Sequence, residues 1–253
     1  MKLHAAALLC VGTLVIVGCG SDESSSTPSA PTTDSQTPAS EPTPATDETS
    51  TTAAKAEATT QLPVGDGKVS DTGAQVGWVF SCGIPHGGGG AFKDGPWIDS
   101  ANGTWDPTQK IAVSGEVTWP YKFSFELQGD SRAINTNDLP NHPTGVFPID
   151  SSEPAFSYDR NPNSITEQSV SWTLPANPVK ADTPSCLNMG AIGVMTTGSV
   201  LFNALDAEGR DAAAHETLDN CNGHPEISGA YHYHNLSTCN AAYGASEPTL
   251  VGW

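Results

Sequence analysis

From residue 62 onward, glycine, proline, asparagine, aspartate and serine recur so often that no helical spacing of apolar residues survives beyond about two turns. A chain punctuated in this way has to build its core from short extended segments. These are legible at residues 75–80, 111–113, 116–127, 168–174, 191–195, 200–203 and 231–235, where β-branched and aromatic residues alternate with polar ones or form brief apolar runs. Val117, Trp119, Tyr121, Phe123, Phe125 and Leu127 occupy every second position of one segment, which predicts a half-buried strand. Pro120, on its other face, marks an edge or a bulge. Helix is expected only in the Ala-rich stretch 212–218. The fold class that follows is mainly β, a sandwich or barrel-like single domain with one short helix over residues 62–253.

What precedes that domain reads as export machinery. Residues 1–18 carry Lys2 and then an apolar run at 8–17, the outline of a signal peptide, and the run is shorter than the roughly 20 residues a bilayer span needs. Ile16-Val17-Gly18-Cys19 resembles a bacterial lipobox, so Cys19 is expected to be the lipidated first residue of the mature chain, with palmitate among its acyl groups. The expected partner is therefore a lipid bilayer, reached through acylated Cys19. Gly20 rather than Asp follows that cysteine, which favours the outer membrane or cell surface over inner-membrane retention. Residues 19–61 are Ser, Thr, Pro, Ala and acidic residues with almost no aliphatic bulk. Such a segment cannot bury enough apolar surface to offset its ordering entropy, so it is expected to be a disordered tether reaching about 35 Å.

Charge and cysteine use narrow the functional classes. With 28 acidic residues against 10 basic ones, a formal net charge of -18 and no basic cluster, the chain is ill suited to nucleic acid. Setting aside Cys10 in the signal and Cys19 leaves Cys82, Cys186, Cys221 and Cys239, an even number for an oxidising compartment. Three connectivities are open to four cysteines, and thiolate ligation is a further alternative. The expected pairing is Cys221 with Cys239, which bracket the most histidine-rich part of the chain, and Cys82 with Cys186.

That part, residues 206–239, holds four of the seven histidines. In the run Tyr231-His232-Tyr233-His234, side chains alternate between faces of a strand, so His232 and His234 point one way, roughly 7 Å apart at the backbone, and the tyrosines point the other. His224 follows a turn at Gly223 and can supply a third imidazole, while His215 and Asp219 are expected to share one face of the short helix. Imidazoles in this number suit a divalent transition metal, zinc or copper, with His224, His232 and His234 as ligands, His215 and Asp219 as further candidates, and Asp219 or Glu216 orienting an imidazole.

The element Asp219-x-Cys221-x-Gly223-His224, followed by Tyr231-His232-Tyr233-His234, resembles the YHYH-motif protein family, as do residues 190–219. Weaker similarity reaches back to residues 145–148 and 158–163. The resemblance implies a histidine-rich, metal-binding extracytoplasmic module and no particular reaction. It also implies a longer C-terminal part, since Leu250-Val251-Gly252-Trp253 reads as the opening of a further strand and the domain is expected to be truncated there.

Three functions are compatible with these residues: a tethered metal-binding or sensing module, a metal-dependent hydrolase with Glu216 or Asp219 as base, and an adhesion or glycan-binding domain stacking sugars on Trp97, Trp105 and Trp119. Other candidates have simpler readings. The polyglycine loop 87–90 after His86 lacks the helix and lysine of a phosphate loop, and reads as a mobile surface loop. His142 sits in a Pro-flanked turn. Residues 159–163 lack the oxygen spacing of a calcium loop and read as a turn held by its own side chains.

Overall fold

Twelve short strands carry the architecture in a computed structural model that describes residues 60–247 and 249–253, all within one unit, Lys55–Trp253. The expected signal segment, Cys19 and almost all of the expected tether lie outside the described residues. In chain order the strands are β1 (Leu62–Pro63), β2 (Val69–Ser70), β3 (Val79–Phe80), β4 (Ile98–Asp99), β5 (Thr104–Trp105), β6 (Phe123–Gln128), β7 (Ser131–Thr136), β8 (Val170–Pro175), β9 (Ala191–Val194), β10 (Val200–Phe202), β11 (Gly223–Pro225) and β12 (Tyr231–Tyr233). Among the described residues, helix is limited to α1 (Ala212–His215) and a 3-10 turn at Pro154–Ser157. The fold is mainly β with one short α-helix, as the punctuation predicts. Its sheets are open, in the orders β1-β5-β4, β2-β3, β6-β7-β8 and β11-β12-β10-β9, and none closes into a barrel. No helix among the described residues is long and apolar enough to cross a membrane.

The strand expected over 116–127 divides at Pro120. Lacking an N–H, proline cannot continue a ladder; Val117 bridges to Thr144, the Tyr121 N–H turns back to the Trp119 carbonyl, and β6 starts only at Phe123. The face predicted to be half-buried is largely open, with Tyr121, Phe125 and Leu127 all exposed. β6 and β7 form a hairpin through Gly129, whose φ of +61° is accessible to glycine without strain. β7 was not predicted, because Ser-Arg-Ala-Ile-Asn-Thr shows no apolar alternation, yet it is the central strand and its Ile134 is fully buried.

Ile134 joins this sheet to the histidine-bearing one, packing with Val194 and Val200. Asp138, just past β7 with φ +60°, makes the same joint in polar form: its Oδ1 accepts the Val200 N–H, and the Ser199 hydroxyl donates to its carbonyl. A second core cluster gathers Leu139, Ile165, Met195, Tyr231 and Tyr233. Trp97 and Trp105 belong to a third, with Ala214, and Trp119 packs on the tyrosine cluster with its Nε1–H donated to Thr144. Trp97 and Trp105 are packing residues, and the reading of these two as sugar-stacking platforms is corrected, since both are buried; Trp119 is half-buried.

Two disulfides are present, Cys82–Cys186 and Cys221–Cys239, the pairing expected from the sequence. The helix is shorter than expected. Asp211 caps α1, accepting the Ala214 N–H, and the chain is already extended at Glu216, so His215 and Asp219 do not share a helix face.

Candidate metal centre

The turn before β11 is built on Asp219. Its Oδ1 accepts the N–H groups of Cys221 and Gly223, its Oδ2 accepts the Gly145 N–H, and the Tyr231 hydroxyl donates to the carboxylate at 2.9 and 3.0 Å. Asn222 takes the left-handed conformation, φ +63°, that such a tight return requires. Gly223 has no substitute, because a Cβ there would lie 2.2 Å from the Tyr231 ring. Burial pushes the Asp219 carboxyl up, and these donors only partly offset it. Asp219 is thus spent on positioning β11 against β12 and is not a ligand in this arrangement.

That positioning sets the histidines in register. β11 and β12 are antiparallel with His224 directly opposite His232, and His234 follows two residues on, so all three imidazoles share a face. Tyr231 and Tyr233 fill the opposite face, both fully buried. The imidazoles are themselves buried, at 4, 3 and 9 % exposure for His224, His232 and His234. Their nearest ring nitrogens all lie within 4.8 Å of one another.

Proton bookkeeping makes the arrangement unusual. His234 Nδ1 lies 2.6 Å from the Asn203 carbonyl and His232 Nδ1 lies 3.2 Å from the Ala230 carbonyl. A carbonyl can only accept, so each Nδ1 carries a proton, and in the neutral form of either ring a bare Nε2 lone pair faces inward. Those two Nε2 atoms face one another at 3.1 Å. Two lone pairs at that distance repel unless a proton or a cation is shared between them. Neither ring nitrogen of His224 has a hydrogen-bond partner, an expensive state for a buried polar group. The Phe202 ring stacks on His232 with centroids 3.9 Å apart, fixing the plane of that imidazole.

Glu216, in the extended residue that ends α1, completes the group. Its Oε2 lies 3.2 Å from both His224 Nε2 and His234 Nε2, at contact distance but without the alignment of a hydrogen bond, which leaves that oxygen unsatisfied. Burial pushes the Glu216 carboxyl up, but His224 and then His234 outweigh it and hold it well below the usual carboxylate range. Burial works against a charged His224, and Glu216 reverses that, raising its pKa. His232 is held well below its ordinary value by burial and by its two neighbouring imidazoles. Three nitrogens and one carboxylate oxygen therefore converge. Ligands 2.0–2.1 Å from a tetrahedral zinc are about 3.3 Å apart, close to the 3.1 and 3.2 Å separations seen here. The donor set and its unsatisfied atoms fit such an ion. Sequence reasoning gave Glu216 an orienting or basic role; the structure aims it at the imidazoles directly.

The remaining candidates fall elsewhere. His215 is buried between two carboxylates, Nδ1 at 2.9 Å from Asp94 and Nε2 at 2.9 Å from Asp66, and takes no part in the cluster. His142 approaches Cys221 and Cys239, but their sulfurs are bonded to each other; its Nε2 lies 2.7 Å from the Tyr233 hydroxyl. His86 is exposed. The oxygens of residues 159–163 serve their own turn: Asp159 accepts the N–H groups of Asn161 and Thr217, and Asn161 accepts that of Asn163 while its amide donates to the Pro225 carbonyl in β11.

Above the imidazoles opens a cavity of about 760 Å³, floored by Glu216, His224, His232 and His234 and walled by Phe92, Met189, Phe202, Ile227 and Arg160. The polyglycine loop is part of this wall. A Cβ on Gly90, where φ is +73°, would lie 2.9 Å from Glu216 Oε1, so glycine lets the loop come down on the carboxylate. The surface-loop reading of residues 87–90 missed that contact, which no local pattern announces.

Residues 171–253, about a third of the chain, match the YHYH protein family, and that stretch holds all three imidazoles and Glu216. No curated protein and no solved structure matches the chain.

Proposed function

We propose that this protein is an extracytoplasmic, lipid-anchored module that holds one divalent transition metal ion, zinc or copper, through Nε2 of His224, His232 and His234 and Oε2 of Glu216. One observation carries the reading: the Nε2 atoms of His232 and His234 are turned on each other at 3.1 Å while both Nδ1 atoms donate to backbone carbonyls. Metal-bound histidines regularly use the second nitrogen in this way, which fixes tautomer and ring orientation. Lipid anchoring is supported by the apolar run at 8–17 and by Cys19, and an oxidising compartment by the two disulfides. The test is metal analysis of the full, oxidised chain. One equivalent of metal is expected, and its persistence in the His232→Ala, His234→Ala double variant would remove the site.

A second reading, metal-dependent hydrolysis, is favoured by the cavity, which gives a small molecule access to the cluster. A bound ion would supply Lewis acidity there. Glu216 is then the group that takes a proton from water. Glu216→Gln separates the two roles. A ligand's loss lowers metal affinity by more than the roughly 10- to 100-fold that losing an outer-shell partner costs, whereas a base's loss leaves metal content intact and abolishes turnover.

A further inference from the structure

We infer that the cavity above the imidazoles binds a small organic carboxylate, its anionic group held at the mouth by Arg160 and its apolar body lying along the aromatic and aliphatic wall. The cavity is shared with the metal-site reading, but the inference does not depend on it, since the recognition contacts belong to other residues. The contacts to the anionic group also lie outside the stretch that matches the YHYH family, in residues 88–90 and 160, while Met189, Phe202 and Ile227 of the apolar wall lie within it.

Arg160 is the first reason. It is the one Lys or Arg side chain among the residues that line the cavity. Among the described residues no carboxylate pairs with Arg160, whereas Arg210, which also belongs to this side of the molecule, is pinned by Asp206 and Glu208. The Arg160 guanidinium is nonetheless placed: it lies over the Phe92 ring at 4.4 Å and over the Phe156 ring at 5.3 Å. Its backbone is fixed on both sides by Asp159, which accepts the Thr217 N–H, and by Asn161, which donates to Pro225. A stacked guanidinium keeps its edge free, and that edge presents paired N–H donors matched to a carboxylate.

The second reason is the loop facing it. The backbone N–H groups of Gly88, Gly89 and Gly90 donate to no acceptor among the described residues, and all three glycines line the cavity. Backbone N–H groups without a protein acceptor are available to an anion that enters the cavity. Between these positions lie the apolar side chains of Phe92, Met189, Phe202 and Ile227, Ile227 being 91 % exposed as it stands, and the carboxylates of the lining other than Glu216 are engaged, Asp159 by the Asn161 and Thr217 N–H groups, Asp206 by Arg210 and Glu226 by the Ser228 and Ala230 N–H groups. The cavity volume, about 760 Å³, lies within the range of roughly 300–1,000 Å³ typical of small-molecule sites. An anion with an apolar body satisfies both kinds of surface; a phosphate or a free metal ion satisfies only one.

The experiment compares octanoate with its neutral analogue octanamide by calorimetry on the full chain, with zinc present and after chelation. Octanoate is expected to bind at least tenfold more tightly than octanamide in both states. In Arg160→Gln that preference should vanish while metal content and octanamide binding stay unchanged, and Arg160→Lys should recover part of it, since charge returns without the forked geometry. Equal affinity for the two probes in the native chain, or no measurable binding of either, overturns the inference whether or not any variant folds. So does an Arg160→Gln protein that keeps the preference. Charge discrimination without any bound metal would leave this inference standing and sink the metal site; a stoichiometric metal without discrimination would do the reverse.

Discussion

The two largest sheets use the same strand physics to opposite ends. In β6-β7-β8 one face stays open to water: β8 alternates half-buried and exposed along its whole length, and Phe125 and Leu127 of β6 are exposed. In β11-β12-β10-β9 the strands β11 and β12 are covered on both faces and buried at every position, while β9 is exposed at Ala191 and Ile192. One covered face holds tyrosines, which contribute packing. The other holds three imidazoles and a glutamate, and burying those costs stability, about 1–3 kcal/mol for each polar group left unpaired. A chain that needed only a core would place valine there. The comparison teaches that the histidine face forgoes the stability an apolar face would give, which is the physical ground for the proposed site.

The contrast can be broken most strongly at the imidazoles. His232→Ala with His234→Ala should lower zinc affinity at least a hundredfold by competition with a chelating dye. Trp172→Ala in β8 should leave zinc stoichiometry unchanged and cost about 2 kcal/mol in denaturant unfolding, given a half-buried ring. The next largest effect is at the joint between the sheets. Burial raises the Asp138 carboxyl from 3.8 to about 7, with the Val200 N–H opposing and Glu226 adding to the rise. For an acid whose folded pKa lies above its unfolded one, the stabilising contribution is complete below the unfolded value and is lost as pH climbs to the folded one. The native chain should therefore lose up to ~4 kcal/mol from this residue between pH 4 and 7. Asp138→Asn cannot ionise and tolerates φ > 0, so its stability relative to the native chain should rise across that window; a flat difference would show that Asp138 titrates normally.

A smaller effect is expected at Tyr231→Phe, which removes the hydroxyl donor to buried Asp219 and should cost about 2 kcal/mol. The register of β11 against β12 depends on that carboxylate, so zinc affinity should fall with stability. If the two do not move together, Asp219 is a packing residue only. The smallest effect is on the open sheet, where Leu127→Ser at an exposed position should change stability by no more than about 0.5 kcal/mol.

Some of this was legible from residue order. The turn residues limited the chain to short strands, and period-two alternation put His232 and His234 on one face and the tyrosines on the other. The spacing of Cys221 and Cys239 around the motif anticipated their bond. Other features were not legible because their causes are distant in sequence. β7 is central through pairing on both edges, not through its own apolar content. The Ala-rich helix stops at His215, and His215 is drawn to Asp66 and Asp94, which come from 149 and 121 residues away.

What the sequence by itself determined is the raw chemistry: an acidic, disulfide-bonded β chain with imidazoles at alternate positions of one strand. The tertiary structure decided which of those groups meet. It selected His224 by cross-strand register, turned Glu216 into the cluster, spent Asp219 on the turn that holds β11, and set Arg160 at the mouth of the cavity. Register and burial are properties of segments packed against one another, so spacing along a chain can nominate such residues but cannot choose among them.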